Sequence, residues 1–212
     1  MAIMHQGFMG GFTGKLGDKV GYRYRGKMVL RSLPKKRKGP PSQAQIEHRE
    51  KFTIVTKFLK PLSSFMMEVH KKTIKNMSGY SKLSSLNMNT IITGNYPDLK
   101  IEYSKVLLTK GSLRGLDHPI ISCARNGHIV FRWNDDGGVA NGLASDQVHL
   151  LFYIEESKDW KILKNIADRR DGGCILDMKE FRCCRLQTYV SIISCDGHRV
   201  SNSQYTGMIH VL

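Results

Sequence analysis

No stretch of these 212 residues approaches the roughly 20 consecutive apolar residues that a bilayer-spanning helix needs, so no membrane partner is expected. Residues 1–12 lack a basic leader region, and glycines and His5 interrupt their apolar residues. They do not read as a secretory signal, and the expected compartment is the cytoplasm. The five cysteines (Cys123, Cys174, Cys183, Cys184, Cys195) contain no C-x-x-C pair, the spacing on which structural zinc and dithiol chemistry usually rest. They fall in segments that read as strands, which predicts buried thiols that pack as small hydrophobes. Other signatures fall short as well. Gly10-Gly11-Phe12-Thr13-Gly14-Lys15-Leu16 lacks the first glycine and the final hydroxyl of a phosphate-binding loop. Asn134-Asp135-Asp136-Gly137 lacks the alternating carboxylates of a calcium loop and reads as a turn. Cys195 and His198 have no second ligand pair. No catalytic residue, metal site or cofactor is therefore expected, and the chain reads as a non-enzyme.

Acidic residues are scarce in one half only. Residues 1–110 hold 21 Lys and Arg against 6 Asp and Glu, whereas residues 111–212 are balanced at 12 against 12. The whole net charge of +15 thus lies in the first half, which favours contact with a polyanion such as nucleic acid. A solvated basic surface on a protein whose partner is another protein is the alternative.

The order of elements follows from pattern. Glycines at 7, 10, 11, 14 and 17 predict a loop or arm. Residues 19–25 and 28–32 predict a hairpin around Gly26-Lys27, which would place Tyr22, Tyr24 and Val29 on one face and Arg23 and Arg25 on the other. Lys35, Lys36, Arg37 and Lys38 between prolines predict an extended linker. Ser42 and Gln45 form an S-x-x-Q start for a helix over 43–60, with a restart after Pro61 running to about Lys75. A shorter helix over 80–88 and a strand over 100–108 follow. From Pro119 the period becomes two, and seven strands separated by Asn-Gly and Asp-Gly turns predict an immunoglobulin or fibronectin-III-like β-sandwich. The expected fold class is therefore α+β, with a basic hairpin-and-helix region over 1–110 and a sandwich domain over 111–212.

Several stretches carry a family likeness. These are Val20-Gly21-Tyr22-Arg23-Tyr24-Arg25-Gly26-Lys27, Arg31-Ser32, and the run Q-I-E-H-R-E-K-F over 45–52. Ile91-Ile92-Thr93-Gly94-Asn95-Tyr96-Pro97 leads into I-E-Y-S-K-V-L-L over 101–108, and near the end stand Y-V-S-I-I-S-C-D-G over 189–197 and V-S-N-S-Q-Y-T-G over 200–207. In these residues the chain resembles a domain-of-unknown-function family of uncharacterised Bacteroidetes proteins of similar length. The resemblance implies a bacterial, unsecreted protein and brings no activity with it. The run from Lys35 to Pro41 is more cationic than that family's asparagine-proline spacer. The functional expectation is a binding or structural protein whose sandwich loops meet a protein partner. The second expectation is a nucleic-acid-associated protein that uses Arg23, Arg25, Arg31, Lys35, Lys36, Arg37 and Lys38, with Tyr22 and Tyr24 either stacking on bases or packing inward.

Overall fold

Alternating side chains and two-residue turns build the first unit. The computed structural model describes residues 2–4, 12–24, 26–35, 39–71, 77–134 and 141–211, with the side chains of residues 2–4 and of Arg125 excepted. The chain divides into two units, residues 1–42 and 43–212. In the first, β1 (Ala2–Met4), β2 (Gly14–Leu16), β3 (Lys19–Tyr24) and β4 (Lys27–Ser32) form an antiparallel sheet in the order β1-β4-β3-β2. The segment expected to be a glycine-rich arm thus supplies both edge strands. Gly17 and Gly26 take positive φ at the two tight turns, a conformation that glycine adopts without steric cost.

The second unit begins with α1 (Gln43–Leu59). Pro61 lacks an amide proton and cannot continue the helix, so a single 3-10 turn intervenes before α2 (Ser63–Val69). That restart ends at Val69 rather than near Lys75, and Lys75 itself lies outside the described residues. The helix α3 (Gly79–Met88) opens on Ser78, whose hydroxyl accepts the Ser81 amide at 3.1 Å. A short pair follows, β5 (Ile92–Thr93) with β6 (Lys100–Ile101).

Seven strands complete the unit: β7 (Asp117–Cys123), β8 (His128–Asn134), β9 (Gln147–Ile154), β10 (Asp159–Asp168), β11 (Gly173–Asp177), β12 (Arg185–Ile193) and β13 (Gln204–His210). They make a three-stranded sheet, β11-β8-β7, and a four-stranded sheet, β10-β9-β12-β13. In letters this is E-B-A facing C′-C-F-G, the immunoglobulin-like sandwich with its fourth strand paired to the third, as in the fibronectin-III plan. The fold is α+β with a β-sandwich, as the period-two pattern predicted.

The helices complete a third layer. Val148, Leu150, Phe152 and Ile154 of β9, with Leu186 and Val190 of β12, pack against the three-stranded sheet through its Phe131 and Trp133. The intervening Leu151 and Tyr153 join Leu59, Leu62, Phe65 and Met66 of the helices. The central strands β9 and β12 of the four-stranded sheet are therefore buried on both faces, which is uncommon for an antiparallel sheet. The sequence boundary at 110/111 groups the helices with the hairpin. In the structure the division falls at 42/43, because the helices bury their apolar stripe against Leu151, Tyr153 and Tyr189.

Candidate functional site

The basic hairpin is built by register. Strand β3 pairs with β4 as Tyr24↔Lys27, Tyr22↔Val29 and Val20↔Arg31, so Lys27 belongs to the strand and not to the turn expected at Gly26-Lys27. The pairing differs by two residues from the expected one. Because side chains alternate with period two, the faces are unchanged. Tyr22, Tyr24 and Val29 share one face with Arg31 and Lys27, and β2 adds Lys15 through its pairing with Val20. The Arg31 guanidinium lies 5.8 Å from the centroid of the Tyr22 ring, within cation–π reach. Arg23 lies on the opposite face beside Met28, where Phe12 packs on Gly21 closely enough that a Cβ at Gly21 would clash.

Of the seven predicted polyanion contacts, Arg23, Arg31 and Lys35 are exposed, whereas Arg25, Lys36, Arg37 and Lys38 lie outside the described residues. The structure joins only Arg31 to the tyrosine face and brings in Lys15 and Lys27. Sequence reading passed over these two for different reasons. Lys27 falls in the turn that Gly26 predicts, and Lys15 needs a strand that its glycine-rich surroundings do not predict.

The sandwich loops expected to meet a partner are used differently at one end. Asn141 donates to Ser112 O at 2.6 Å and accepts the Arg114 amide at 3.0 Å, while Arg199 donates to Asn141 O at 3.1 Å. Arg169 is fully buried, donates to Gly115 O and Arg114 O at 3.0 and 2.6 Å, and faces the buried Asp146 at 3.7 Å. These groups clamp the segment that leads into β7, so the loops after β8, β10 and β12 hold their own chain. The predicted turn at Asp136-Gly137-Gly138 lies outside the described residues.

The cysteines depart from expectation in burial. Cys183 and Cys195 are exposed and lie in turns flanking β12, Cys183 with φ of 63°, and the other three are half-buried. Turn backbone geometry, not strand packing, sets those two positions. Burial pushes the Cys174 thiol up to about 11, far from the range of a nucleophilic thiolate. Among the described residues no three His, Cys, Asp or Glu side chains are grouped to hold a metal ion, and no helix is long and apolar enough to cross a membrane.

A family whose description reads "Family of unknown function (DUF6266)" matches residues 11–207. No curated protein matches the chain. Among solved structures it is similar to the fn3 domain of the human collagen alpha-1(XX) chain, with 12% identity and a TM-score of 0.35, over 49% of this chain and 90% of that one.

Proposed function

We propose that this chain, which belongs to the DUF6266 family of unknown function, is a non-enzymatic binding protein that engages a polyanion, nucleic acid in the first place, through residues 1–42. The observation that carries the reading is local charge: those 42 residues hold ten Lys and Arg against a single Asp, and Lys15, Lys27 and Arg31 share a face with two tyrosines. Cations track phosphates and aromatic rings accept bases without regard to sequence, a pairing common to single-strand binders. The non-enzymatic part is supported by how the reactive groups are used. His70 donates Nδ1–H to Met66 O at 3.0 Å and accepts the Lys110 amide at 3.2 Å, and the buried Ser191 and Thr109 hydroxyls bond each other at 2.7 Å. These side chains tie elements together. A protein partner is the second reading, and the exposed Ile120 and Ile175 on the outer face of the three-stranded sheet favour it. Residence in the cytoplasm of a Bacteroidetes cell belongs to the same proposal and rests on the sequence resemblance.

The test is the salt dependence of binding to a labelled single-stranded oligonucleotide. Affinity should fall steeply with salt, and replacing Lys15, Lys27 and Arg31 by Gln should flatten the log–log slope by about 2, at about 0.7 per phosphate contact. A variant with the same affinity and the same slope as the parent protein would remove the reading.

A further inference from the structure

A second cationic site stands in residues 43–212, far along the chain from the basic hairpin. An open cleft of about 680 Å³ lies where α1, β6 and the turn between β9 and β10 meet. Its wall is aromatic at the half-exposed Tyr103, behind which Phe58 and Tyr153 are buried. Phe58 and Tyr153 have ring centroids 4.8 Å apart, Tyr103 and Tyr153 5.6 Å, and Trp160 backs Tyr153 at 5.2 Å while donating to Phe58 O at 2.8 Å. Three exposed lysines line the cleft, each from a different element: Lys57 from α1, Lys100 from β6 and Lys158 from the turn. None of the three has an ion-pair partner among the described residues, whereas Lys105, Lys161, Lys164 and Lys179 all do. Lys158 sits at φ of 56°, where a glycine would meet less steric resistance, and so contributes an ammonium group from a conformation unfavourable for its residue type.

One carboxylate completes the lining. Glu155 is paired with Arg185 at 3.2 Å and accepts from Gln187 Nε2 at 2.7 Å, which leaves lone pairs for a further donor.

These groups select by combination. Inorganic phosphate would satisfy the lysines and leave Tyr103 and the half-exposed Ile54, Leu99 and Ile101 wet. An apolar ligand would cover the wall and strand three cations. An acyl phosphate would match both but offer nothing to Glu155. A nucleoside phosphate supplies a planar ring for the wall, amino or hydroxyl donors for Glu155 and an anion for the lysines. We infer that this cleft binds a nucleoside phosphate, supplied as a free nucleotide or as the phosphorylated end of a nucleic-acid strand.

The proposal stands apart from the polyanion reading of residues 1–42, and one set of titrations separates the two. Adenosine 5′-monophosphate, adenosine, inorganic phosphate and a 5′-phosphorylated strand of about 12 nucleotides are titrated into the full chain by calorimetry and tryptophan emission, since Trp160 adjoins the wall. The expected result is saturable binding of the monophosphate with a change in emission. The variant K57Q/K100Q/K158Q should bind it about tenfold or more weakly, given the strength of hydrogen bonds to charged groups, and K15Q/K27Q/R31Q should bind it unchanged. All three cleft lysines are exposed, so their replacement leaves the core intact. Binding of the strand alone, lost in the cleft variant, identifies the strand as the source of the same chemistry. Absence of saturable binding by both the monophosphate and the strand overturns the inference. So does monophosphate binding that survives in the cleft variant or, where the monophosphate does not bind, strand binding as tight in the cleft variant as in the parent protein.

Discussion

His149 is only 4% exposed, and neither ring nitrogen has a hydrogen-bond partner among the described residues. It lies on the helix-facing side of β9, with Phe65 against its ring at 6.3 Å between centroids and the Glu68–Lys164 ion pair nearby. Burial, reinforced by Lys164 and opposed by Glu68, lowers its pKa from 6.5 to about 4. The folded chain therefore keeps the imidazole neutral where the unfolded chain already takes up a proton. Full stability is present above pH 6.5 and is lost as the pH falls toward 4, by about 2 kcal/mol at pH 5. His70 is shifted in the same direction, again mainly by burial, and adds to the loss. Urea midpoints at pH 7.5 and pH 5 should thus differ, and His149→Leu should shrink the difference by about 2 kcal/mol. An undiminished difference in that variant would place the acid sensitivity elsewhere. The period-two reading of β9 implied one buried face, whereas the structure buries both, Val148 and Leu150 on one side and His149 and Leu151 on the other. Sequence alone did not say that the second cover would be helical.

Among the elements, the two halves of α1 have different roles. No residue from Gln43 to Ile54 is buried, and Phe52 is 54% exposed; burial begins at Val55 and continues through Phe58, Leu59 and Leu62. Leu62→Ala should therefore cost about 2–5 kcal/mol, and Phe52→Ala should stay within about 0.5 kcal/mol, both read from chemical denaturation. Equal effects would contradict the burial pattern. The seven sandwich strands were legible because alternation is joined by glycine-containing turn sequences at four of the six connections, as on either side of His128–Asn134, whose ends the pattern placed correctly. The strand expected over 100–108 was not. I-E-Y-S-K-V-L-L alternates well enough to read as a strand. In the structure, however, buried Asn87 brackets Leu107, accepting its amide at 2.9 Å and donating to its carbonyl at 2.7 Å, and Ser203 takes the Leu108 amide at 2.8 Å. Backbone groups that a ladder would have used are satisfied by side chains from distant parts of the chain, and local pattern carries no record of that.

At the scale of the whole molecule, charge and burial follow the same division. The basic excess is densest in the sheet of residues 1–42, while the double-covered sheet lies in residues 43–212. Charge asymmetry was plain in the sequence; the position of the division was not, because it depends on which sheet face receives the helices. That cover has a consequence for amide hydrogen exchange. Strand β9 pairs with β12 from Leu186↔Ile154 to Ile193↔Gln147, with a neighbouring strand beyond each and a packed layer above and below. Such amides have no local route to solvent, so deuterium should enter at Leu150, Leu151 and Val190 only when the whole unit opens, at rates that climb steeply with added denaturant. Strand β11 has β8 on one side and, among the described residues, no strand on the other, and should exchange by local fraying with little denaturant dependence. Exchange at Val190 as rapid and as insensitive to denaturant as at Ile175 would mean that the helical cover opens on its own, a sub-global unfolding that bares the sheet without melting it.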